Sequence, residues 1–214
     1  MNQQQFKRDF LGVLTVLAKL IEMRDSYTRG HSEEVSRWSE IVARKLGLNK
    51  DKQEEISLAA KLHDIGKISI PDRILNKPGP LSKEEYAEVK KHPILGANIF
   101  SNIDSLKEVS GIIRHHHEWY NGRGYPEGLK AEEIPLGSRI ISVTDAYQAM
   151  TSDRPYRRAF SKEKAIYELK RCAGSQFDPE IVKVFMEILN ENISLSQSTL
   201  LSEQEKVKYK EVKK

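Results

Sequence analysis

Apolar side chains recur at steps of three and four residues along most of this chain, which is the spacing of amphipathic helices. The first stripe contains Phe6, Phe10, Val13, Leu17 and Leu20 and predicts a helix over 6–24. Longer helices are also predicted over 32–46, 52–64, 104–118, 135–151, 161–173 and 178–189. No run long enough for a β-strand alternates between polar and apolar residues, so the chain is predicted to be all-α. Its main helical bundle is expected to be followed by additional C-terminal helices.

Proline and glycine mark the breaks between these helices. The segment 68–80 holds Pro71, Pro78, Gly79 and Pro80 and is predicted to be a loop with at most one helical turn. Ser82 is expected to cap the next helix, with Glu85 completing a capping box. That helix should end before His92-Pro93, because a residue that precedes proline avoids the helical region, and a second short helix should begin at Pro93.

The predicted organisation has three parts. Residues 1–24 form an N-terminal helix that packs on the domain or lies in a dimer seam, residues 25–190 form the main domain, and residues 191–214 form a polar tail or surface helix. A length of 214 residues with 38% hydrophobic and 31% charged residues suits one globular domain with appendages.

Composition also limits the compartment and the partners. The single cysteine, Cys172, allows no internal disulfide and favours a reducing compartment. No apolar run is long enough to cross a bilayer, and the first residues lack the layout of a signal peptide, so a cytoplasmic protein without membrane contact is predicted. The net charge of +4 is only weak support for an anionic partner, and no nucleic acid polymer is expected to bind.

The stretch His63-Asp64-Ile65-Gly66-Lys67 places an imidazole beside a carboxylate. Neighbouring side chains on a helix diverge by about 100°, so the pair can share one centre only at a helix end or on a pair of metal ions. Gly66 is expected to supply that end through a left-handed conformation. Alternatively, the pair is an ordinary helix terminus that faces water, and the dipeptide alone does not decide between these interpretations.

The other histidines and one carboxylate strengthen the metal hypothesis. All 6 histidines lie at predicted helix ends or in loops, although any one of them alone would suit the protein surface. Asp145 interrupts an apolar helix, and a buried carboxylate is costly unless it is paired or binds a metal. Mixed nitrogen and oxygen donors favour transition metals over calcium or magnesium. So many donors exceed one ion and suggest two ions about 3.5–4 Å apart, an arrangement that hydrolyses phosphoesters.

These motifs occur in an order that resembles the HD-GYP domain, a subgroup of the HD phosphohydrolase superfamily, from about Asp25 to Pro179. The matching segments are Thr28-Arg29-Gly30-His31-Ser32, His63-Asp64-Ile65-Gly66-Lys67, Ile70-Pro71-Asp72, Lys91-His92-Pro93, His116-His117-Glu118, Gly122, Gly124-Tyr125-Pro126, Gly128-Leu129, Ile134-Pro135, Arg139-Ile140, Asp145 and Thr151-Ser152-Asp153-Arg154-Pro155-Tyr156-Arg157.

The resemblance implies an HD-type helical bundle that hydrolyses cyclic di-GMP to linear pGpG, GMP or both, through attack by a metal-bridging hydroxide. It implies two divalent transition metal ions, with iron or manganese favoured and nickel, cobalt or zinc also compatible. The metal ligands that it implies are His31, His63, Asp64, His92, His116, His117 and Asp145.

Further roles follow from the same resemblance. Asp64 would bridge the metals, and Lys67 would face the scissile phosphate as a catalytic and substrate-binding residue. The remaining substrate-binding residues would be Gly124, Tyr125, Pro126, Arg154 and Arg157, and the supporting residues would be Asp25, Glu118 and Gln148. Simpler interpretations also stand: surface salt bridges for the two arginines, a core position for Tyr125, and helix-end roles for Glu118 and Asp25.

Two positions depart from the family pattern. Tyr27 stands where members with three metals carry glutamate, which favours two metals here. Gln148 stands where many members have a second aspartate, and an amide cannot act as a base, so a slower enzyme is expected. The alternatives are a phosphodiesterase for another cyclic dinucleotide such as cyclic GMP-AMP or for another nucleotide, or a weakly active signalling module that binds cyclic di-GMP. A homodimer or a signalling protein partner is compatible with each.

Overall fold

Helices form the described part of the chain, as the apolar spacing predicts. The computed structural model describes residues 2–24, 30–153 and 158–191, and within them β-structure is limited to isolated bridges. The α-helices are α1 (Gln3–Arg24), α2 (His31–Lys45), α3 (Lys50–Leu62), α4 (Asp72–Leu75), α5 (Lys83–Val89), α6 (His92–Phe100), α7 (Lys107–His115), α8 (Leu136–Thr151), α9 (Lys162–Arg171) and α10 (179–191). Short 3-10 helices cover Ile65–Ser69, Asp104–Leu106 and Ala131–Glu133.

The predicted capping box is confirmed. Ser82 Oγ accepts a hydrogen bond from the amide of Glu85 at 3.2 Å, and the Glu85 carboxylate accepts from the amide of Ser82 at 2.7 Å. The single turn of α4 agrees with the prediction that 68–80 holds at most one helical turn.

The predicted helix over 104–118 is shorter than expected. It begins as a 3-10 turn at Asp104–Leu106, continues as α7, and ends at His115. Beyond that point the chain tightens, because the amide of Glu118 donates to the carbonyl of His115, three residues back, at 3.0 Å. His116 and His117 therefore leave the helical path and can point to one centre.

The core lies where α2, α3 and α8 pack together, with α10 against them. Val35 and Val42 of α2 are fully buried, as are Ile140 and Ile141 of α8. Trp38 packs edge-on against Phe185 of α10, with ring centroids 5.5 Å apart. This apolar layer fixes the ends of α2, α3 and α8, which carry several of the histidines and acids considered above.

Helix α1 has one face on this body and another face exposed. Its residues Leu14, Ala18 and Ile21 are buried, which agrees with packing on the domain. Its exposed apolar residues are Val13, Val16, Leu17, Leu20 and Met23. The division of the chain at residues 24 and 190, and a dimer seam on α1, stay predictions. None of the described helices is long and apolar enough to cross a membrane.

Gly66 was expected to end the helix before it, but α3 already ends at Leu62. The described glycines with positive φ do not include Gly66, which lies in the 3-10 helix Ile65–Ser69. A Cβ atom built on Gly66 would lie 2.0 Å from the carbonyl oxygen of His92 and 2.6 Å from the amide nitrogen of Gly96. The prediction of a left-handed glycine was therefore wrong, and close contact with α6 is what requires glycine there.

Candidate metal centre

Three histidines are oriented in the same way at helix boundaries. The Nδ1 atoms of His63, His92 and His116 lie 2.7, 2.7 and 2.6 Å from the carbonyl oxygens of Ala60, Val89 and Ile113. Each of these carbonyls is three residues earlier in the chain and can only accept a hydrogen bond, so each Nδ1 carries a proton. In a neutral imidazole the lone pair is then on Nε2.

These Nε2 atoms face each other in the interior of the protein. His92 Nε2 lies 3.4 Å from His116 Nε2, and His31 Nε2 lies 3.3 Å from His63 Nε2. Ligand atoms within 4.8 Å of one another form two groups. One group is His92, His116 and His117, and the other is His31, His63 and Asp64. The structure thus brings together histidines that are as much as 86 positions apart, at 31 and 117.

Asp64 belongs to the second group and also approaches the first. Its Oδ2 is 3.4 Å from His63 Nε2, and its Oδ1 is 3.4 Å from His92 Nε2. Asp64 lies between the C-cap of α3, His63, and the 3-10 helix Ile65–Ser69, and its backbone is not helical, so its side chain leaves the direction of α3 and converges with His63. Lys67 Nζ lies 2.7 Å from Asp64 Oδ2. The two carboxylate oxygens therefore address different histidine groups.

Asp145 and Gln148 of α8 both contact His31. Asp145 Oδ1 lies 3.2 Å from His31 Nε2, and Gln148 Oε1 accepts a short hydrogen bond from His31 Nδ1. Gln148 Nε2 donates to Ser152 Oγ at 2.9 Å, which leaves Oε1 to face the imidazole. His31 follows Gly30, whose left-handed φ of 75° turns the chain into α2. Gln148 thus orients His31 although it carries no charge.

Burial and charge together set the protonation of the cluster in the metal-free protein. Burial lowers the pKa of His92 to about 4 and that of His117 to about 3, and it holds the pKa of His116 well below its usual range. Burial acts against the charged form of Asp64, but the positive charge of Lys67 and the neighbouring histidines outweigh it and lower the pKa of that carboxyl. At neutral pH the imidazoles of His92, His116 and His117 are therefore uncharged, and the Asp64 carboxylate is ionised.

His31 and Asp145 form a separate pair. Burial acts to lower the pKa of His31, but the hydrogen bond and charge of Asp145 outweigh it, and the pKa of His31 is raised. The same contact lowers the pKa of Asp145 despite its burial. In the metal-free protein an imidazolium thus neutralises the carboxylate that interrupts α8.

Acid is expected to destabilise the metal-free protein. An unfolded histidine takes up a proton near pH 6.5, whereas His92 does so near 4 in the folded state, so the unfolded state binds more protons between these values. His116 and His117 act in the same direction, and His31 opposes them. Lowering the pH from 7 to 5 should reduce the free energy of unfolding by about 2–4 kcal/mol.

Urea denaturation of chelator-treated protein at the two pH values measures this difference. A His117→Gln variant is the matched control, because glutamine takes up no proton at either pH and the difference should shrink. Equal stability of the unmodified protein at pH 5 and pH 7 would contradict the prediction.

The donor set fits divalent metal. The Nδ1–H groups of His92 and His116 donate to backbone carbonyls, so in the neutral imidazoles each Nε2 carries only a lone pair. These two Nε2 atoms lie 3.4 Å apart and cannot form a hydrogen bond with each other. A shared cation satisfies both lone pairs. Nitrogens bound to one ion at about 2.0–2.1 Å in tetrahedral geometry lie about 3.3 Å apart, which agrees with these separations. Imidazole with carboxylate is a donor set that zinc, iron, manganese and nickel accept.

A family model described as HD domain matches residues 15–181, which is most of the chain. The chain belongs to the HD domain family. The family recognised from the sequence motifs is thereby confirmed, and the all-α fold agrees with it. The seven candidate ligand positions lie inside the matched segment.

Relatives of this HD domain include cyclic dinucleotide phosphodiesterases. A protein of Thermotoga maritima named cyclic di-GMP phosphodiesterase is 42% identical over 186 residues, which cover 86% of this chain and 50% of the relative. A Vibrio cholerae protein named 3'3'-cGAMP-specific phosphodiesterase 3 is 33% identical over 178 residues, which cover 83% of this chain and 39% of the relative. The chain thus spans half or less of the length of these relatives.

A solved structure shares the fold. The crystal structure of a Vibrio cholerae phosphodiesterase specific for cyclic GMP-AMP superposes with a TM-score of 0.69 at 21% identity, over 87% of this chain and 50% of that one. At this identity the likeness concerns the fold alone, and it agrees with the arrangement of helices in the HD domain described above.

Glu118 fixes the glycine-rich loop 122–128 of the HD domain. This buried carboxylate accepts hydrogen bonds through Oε1 from the amides of Glu127 and Gly128, at 2.7 and 3.0 Å. Its Oε2 has no hydrogen-bond partner in the described structure. Holding the loop is therefore a role of Glu118 that was missed from the sequence, and its suggested role in orienting a ligand histidine stays a prediction.

Tyr125 lies beside the centre at the end of this loop. Its ring centroid is 5.0 Å from that of His117, with the planes tilted by 34°. Gly122 has a left-handed φ of 79°, whereas Gly124 is not among the glycines with positive φ. A Cβ built on Gly124 would lie 2.2 Å from the amide nitrogen of Trp119. Close packing against the chain after α7, rather than approach to a ligand, therefore explains Gly124.

The last sequence predictions concern His115 and several residues outside the described part of the chain. His115, which was left out of the ligand set, turns away from the other histidines, since its Nε2 lies 2.6 Å from Glu127 Oε2. Asp25, Tyr27, Arg154 and Arg157 lie outside the described residues, as does the tail beyond residue 191.

Proposed function

We propose that this HD domain is a metal-dependent phosphodiesterase that hydrolyses cyclic di-GMP to linear pGpG, GMP or both. The observation that carries the proposal is the placement of Asp64, whose two oxygens address separate groups of buried histidines. We assign two divalent ions, iron or manganese first, to these groups. The proposed ligands are His31, His63, Asp64, His92, His116, His117 and Asp145.

The side chains around this centre suit a phosphodiester substrate. When bound, a pair of divalent ions supplies a water of lowered pKa and positive charge that stabilises a phosphoryl transition state. His92, His116 and His117 offer neutral nitrogen lone pairs, and Asp64 offers an ionised carboxylate to both groups. Lys67 is held against Asp64 by its ammonium group, close enough to the centre to donate to a phosphate oxygen that approaches it.

The relatives support cyclic di-GMP as the substrate. Identity is higher to the relative named for cyclic di-GMP than to the one named for cyclic GMP-AMP, 42% against 33%. The family also contains members named for the second substrate, which therefore remains the main alternative. The single cysteine and the absence of a membrane-spanning helix among the described helices are compatible with the proposed cytoplasmic location.

Turnover by protein reconstituted with one metal at a time tests the proposed function. Chelator-treated protein should be inactive, and addition of Mn²⁺, or of Fe²⁺ without oxygen, should restore hydrolysis of cyclic di-GMP to products separable by chromatography. Cyclic GMP-AMP assayed in parallel should react at least about tenfold less efficiently, a difference that corresponds to about 1.4 kcal/mol in transition-state binding.

The opposite results are equally informative. Tight binding of cyclic di-GMP without turnover under any metal would replace the enzyme with a binding module, the alternative that Gln148 raised. Faster turnover of cyclic GMP-AMP would reassign the substrate while leaving the metal centre in place. A metal analysis that returns three ions per chain would contradict the assignment of two.

A further inference from the structure

The last turn of α5 is part of the wall of the metal centre. The carbonyl oxygen of Val89 accepts the hydrogen bond from His92 Nδ1 at 2.7 Å, so this turn fixes a proposed ligand directly. Lys90 follows Val89, and Tyr86 precedes Lys90 by four residues, which places both side chains on the same face of the helix. Neither residue belongs to the motifs considered in the sequence.

A continuous row of rings and one cation runs outward from the centre along this face. The Tyr125 ring lies 5.0 Å from the ring of His117. Lys90 Nζ lies 5.1 Å from the centroid of Tyr125 and 5.3 Å from the centroid of Tyr86. The ammonium group thus makes a cation–π contact with both tyrosines, one beside the centre and one farther out.

The two tyrosines differ in exposure. Tyr125 is partly buried in the wall, and burial together with the nearby Tyr86 and acidic side chains raises the pKa of its phenol, which stays protonated. Tyr86 is 50% exposed, so about half of its surface is open to a ligand. The exposed surface of Tyr86 lies next to the ammonium group of Lys90. Lys67 adds a second positive charge to the same site.

We propose that Tyr86 and Lys90 form, with Tyr125, a subsite that stacks one purine base of the cyclic dinucleotide at the edge of the metal centre. Tyr86 supplies the stacking surface. Lys90 contacts the rings of both Tyr86 and Tyr125 and fixes their relative position, and its positive charge attracts the anionic ligand. Stacking of a base on an exposed aromatic ring is a common means of holding nucleotides in protein grooves. The inference rests on the proposed function, because it takes its ligand from there.

Replacement of Tyr86 tests the subsite. Tyr86→Ala should weaken binding of the cyclic dinucleotide about tenfold, with the smaller part of the effect on kcat. The loss is seen as a higher KM for cyclic di-GMP and as a higher Kd, by calorimetry with Mn²⁺-loaded protein, for a hydrolysis-resistant phosphorothioate analogue of cyclic di-GMP. Tyr86→Phe retains the ring and should stay within about twofold of the unmodified protein. Tyr167→Ala on α9, where the tyrosine is 62% exposed, is the matched control for loss of a surface aromatic residue.

The calorimetric measurement separates failure of this inference from failure of the proposed function. Methyl p-nitrophenyl phosphate, a diester without a purine, reports in each variant whether the centre still hydrolyses phosphodiesters. An unchanged Kd in Tyr86→Ala would overturn the subsite even if the enzyme is active. A tenfold weaker Kd in a protein that turns over neither substrate would support the subsite and reject the enzyme. Absence of cyclic di-GMP binding by the unmodified protein would overturn both.

Discussion

Replacing Asp64 by alanine is expected to abolish retention of both metal ions and to reduce hydrolysis of cyclic di-GMP by about 10³-fold or more, since the ions contribute several kcal/mol to the barrier. The reason is geometric. Each oxygen of Asp64 lies 3.4 Å from the Nε2 of a different histidine, so one truncation removes a donor from both groups. Metal content after gel filtration, measured by mass spectrometry, and steady-state kinetics check the two parts.

Asp104→Ala is the matched control for this substitution. Asp104 has a side chain that is 93% exposed and pairs with Lys107 on the surface, so its loss should leave metal content and rate within error. Full activity and metal content in Asp64→Ala would refute the bridging assignment. Loss of one ion with the second retained would show that Asp64 belongs to one group alone.

Replacing Gly66 by alanine is expected to lower the free energy of unfolding by about 3 kcal/mol or more, although the added group is one methyl. A Cβ there would lie 2.0 Å from the His92 carbonyl oxygen and 2.6 Å from the Gly96 amide, and both are backbone atoms that cannot rotate away. The 3-10 helix that follows Asp64 must then separate from α6, which carries His92. Urea denaturation of metal-free protein measures the loss.

Activity should fall with stability in this variant. A displacement of His92 from Asp64 by about 1 Å is expected to reduce the rate by about 10²-fold, because catalysis depends on the relative positions of the groups in the centre. Gly111→Ala on α7 is the control, because nothing lies within 4 Å of its added Cβ and alanine favours a helix by about 1 kcal/mol over glycine. If Gly66→Ala were as stable as Gly111→Ala, the close approach of the two segments would be wrong.

The histidines show which features of the site can be predicted from local sequence and which cannot. Their positions at helix ends could be predicted from periodicity, because prolines and glycines fix where helices stop. That His63, His92 and His116 all direct Nε2 inward could not be predicted, because it depends on hydrogen bonds from Nδ1 to the carbonyls of Ala60, Val89 and Ile113, and hence on the rotamers that the surrounding packing allows.

Glycine illustrates the opposite error. The conformational freedom of Gly66 suggested a left-handed helix end, whereas the structure uses its lack of a side chain against α6. The contacts of Glu118 with the amides of Glu127 and Gly128 were likewise missed, because the sequence suggested only a role beside a histidine or at a helix end. In both cases the partner lies on a segment whose approach in space depends on how the helices pack, which local patterns do not specify.

The sequence by itself determined the helices, their main boundaries, the family and the set of residues able to bind metal, because each depends on residue type and local spacing. Only the tertiary structure decided that Asp64 faces two histidine groups at once, that Gln148 orients His31, and that Tyr86 and Lys90 lie beside Tyr125. These are contacts between residues distant in the chain. They form when apolar burial packs α2, α3 and α8 together and thereby fixes where the helix ends meet.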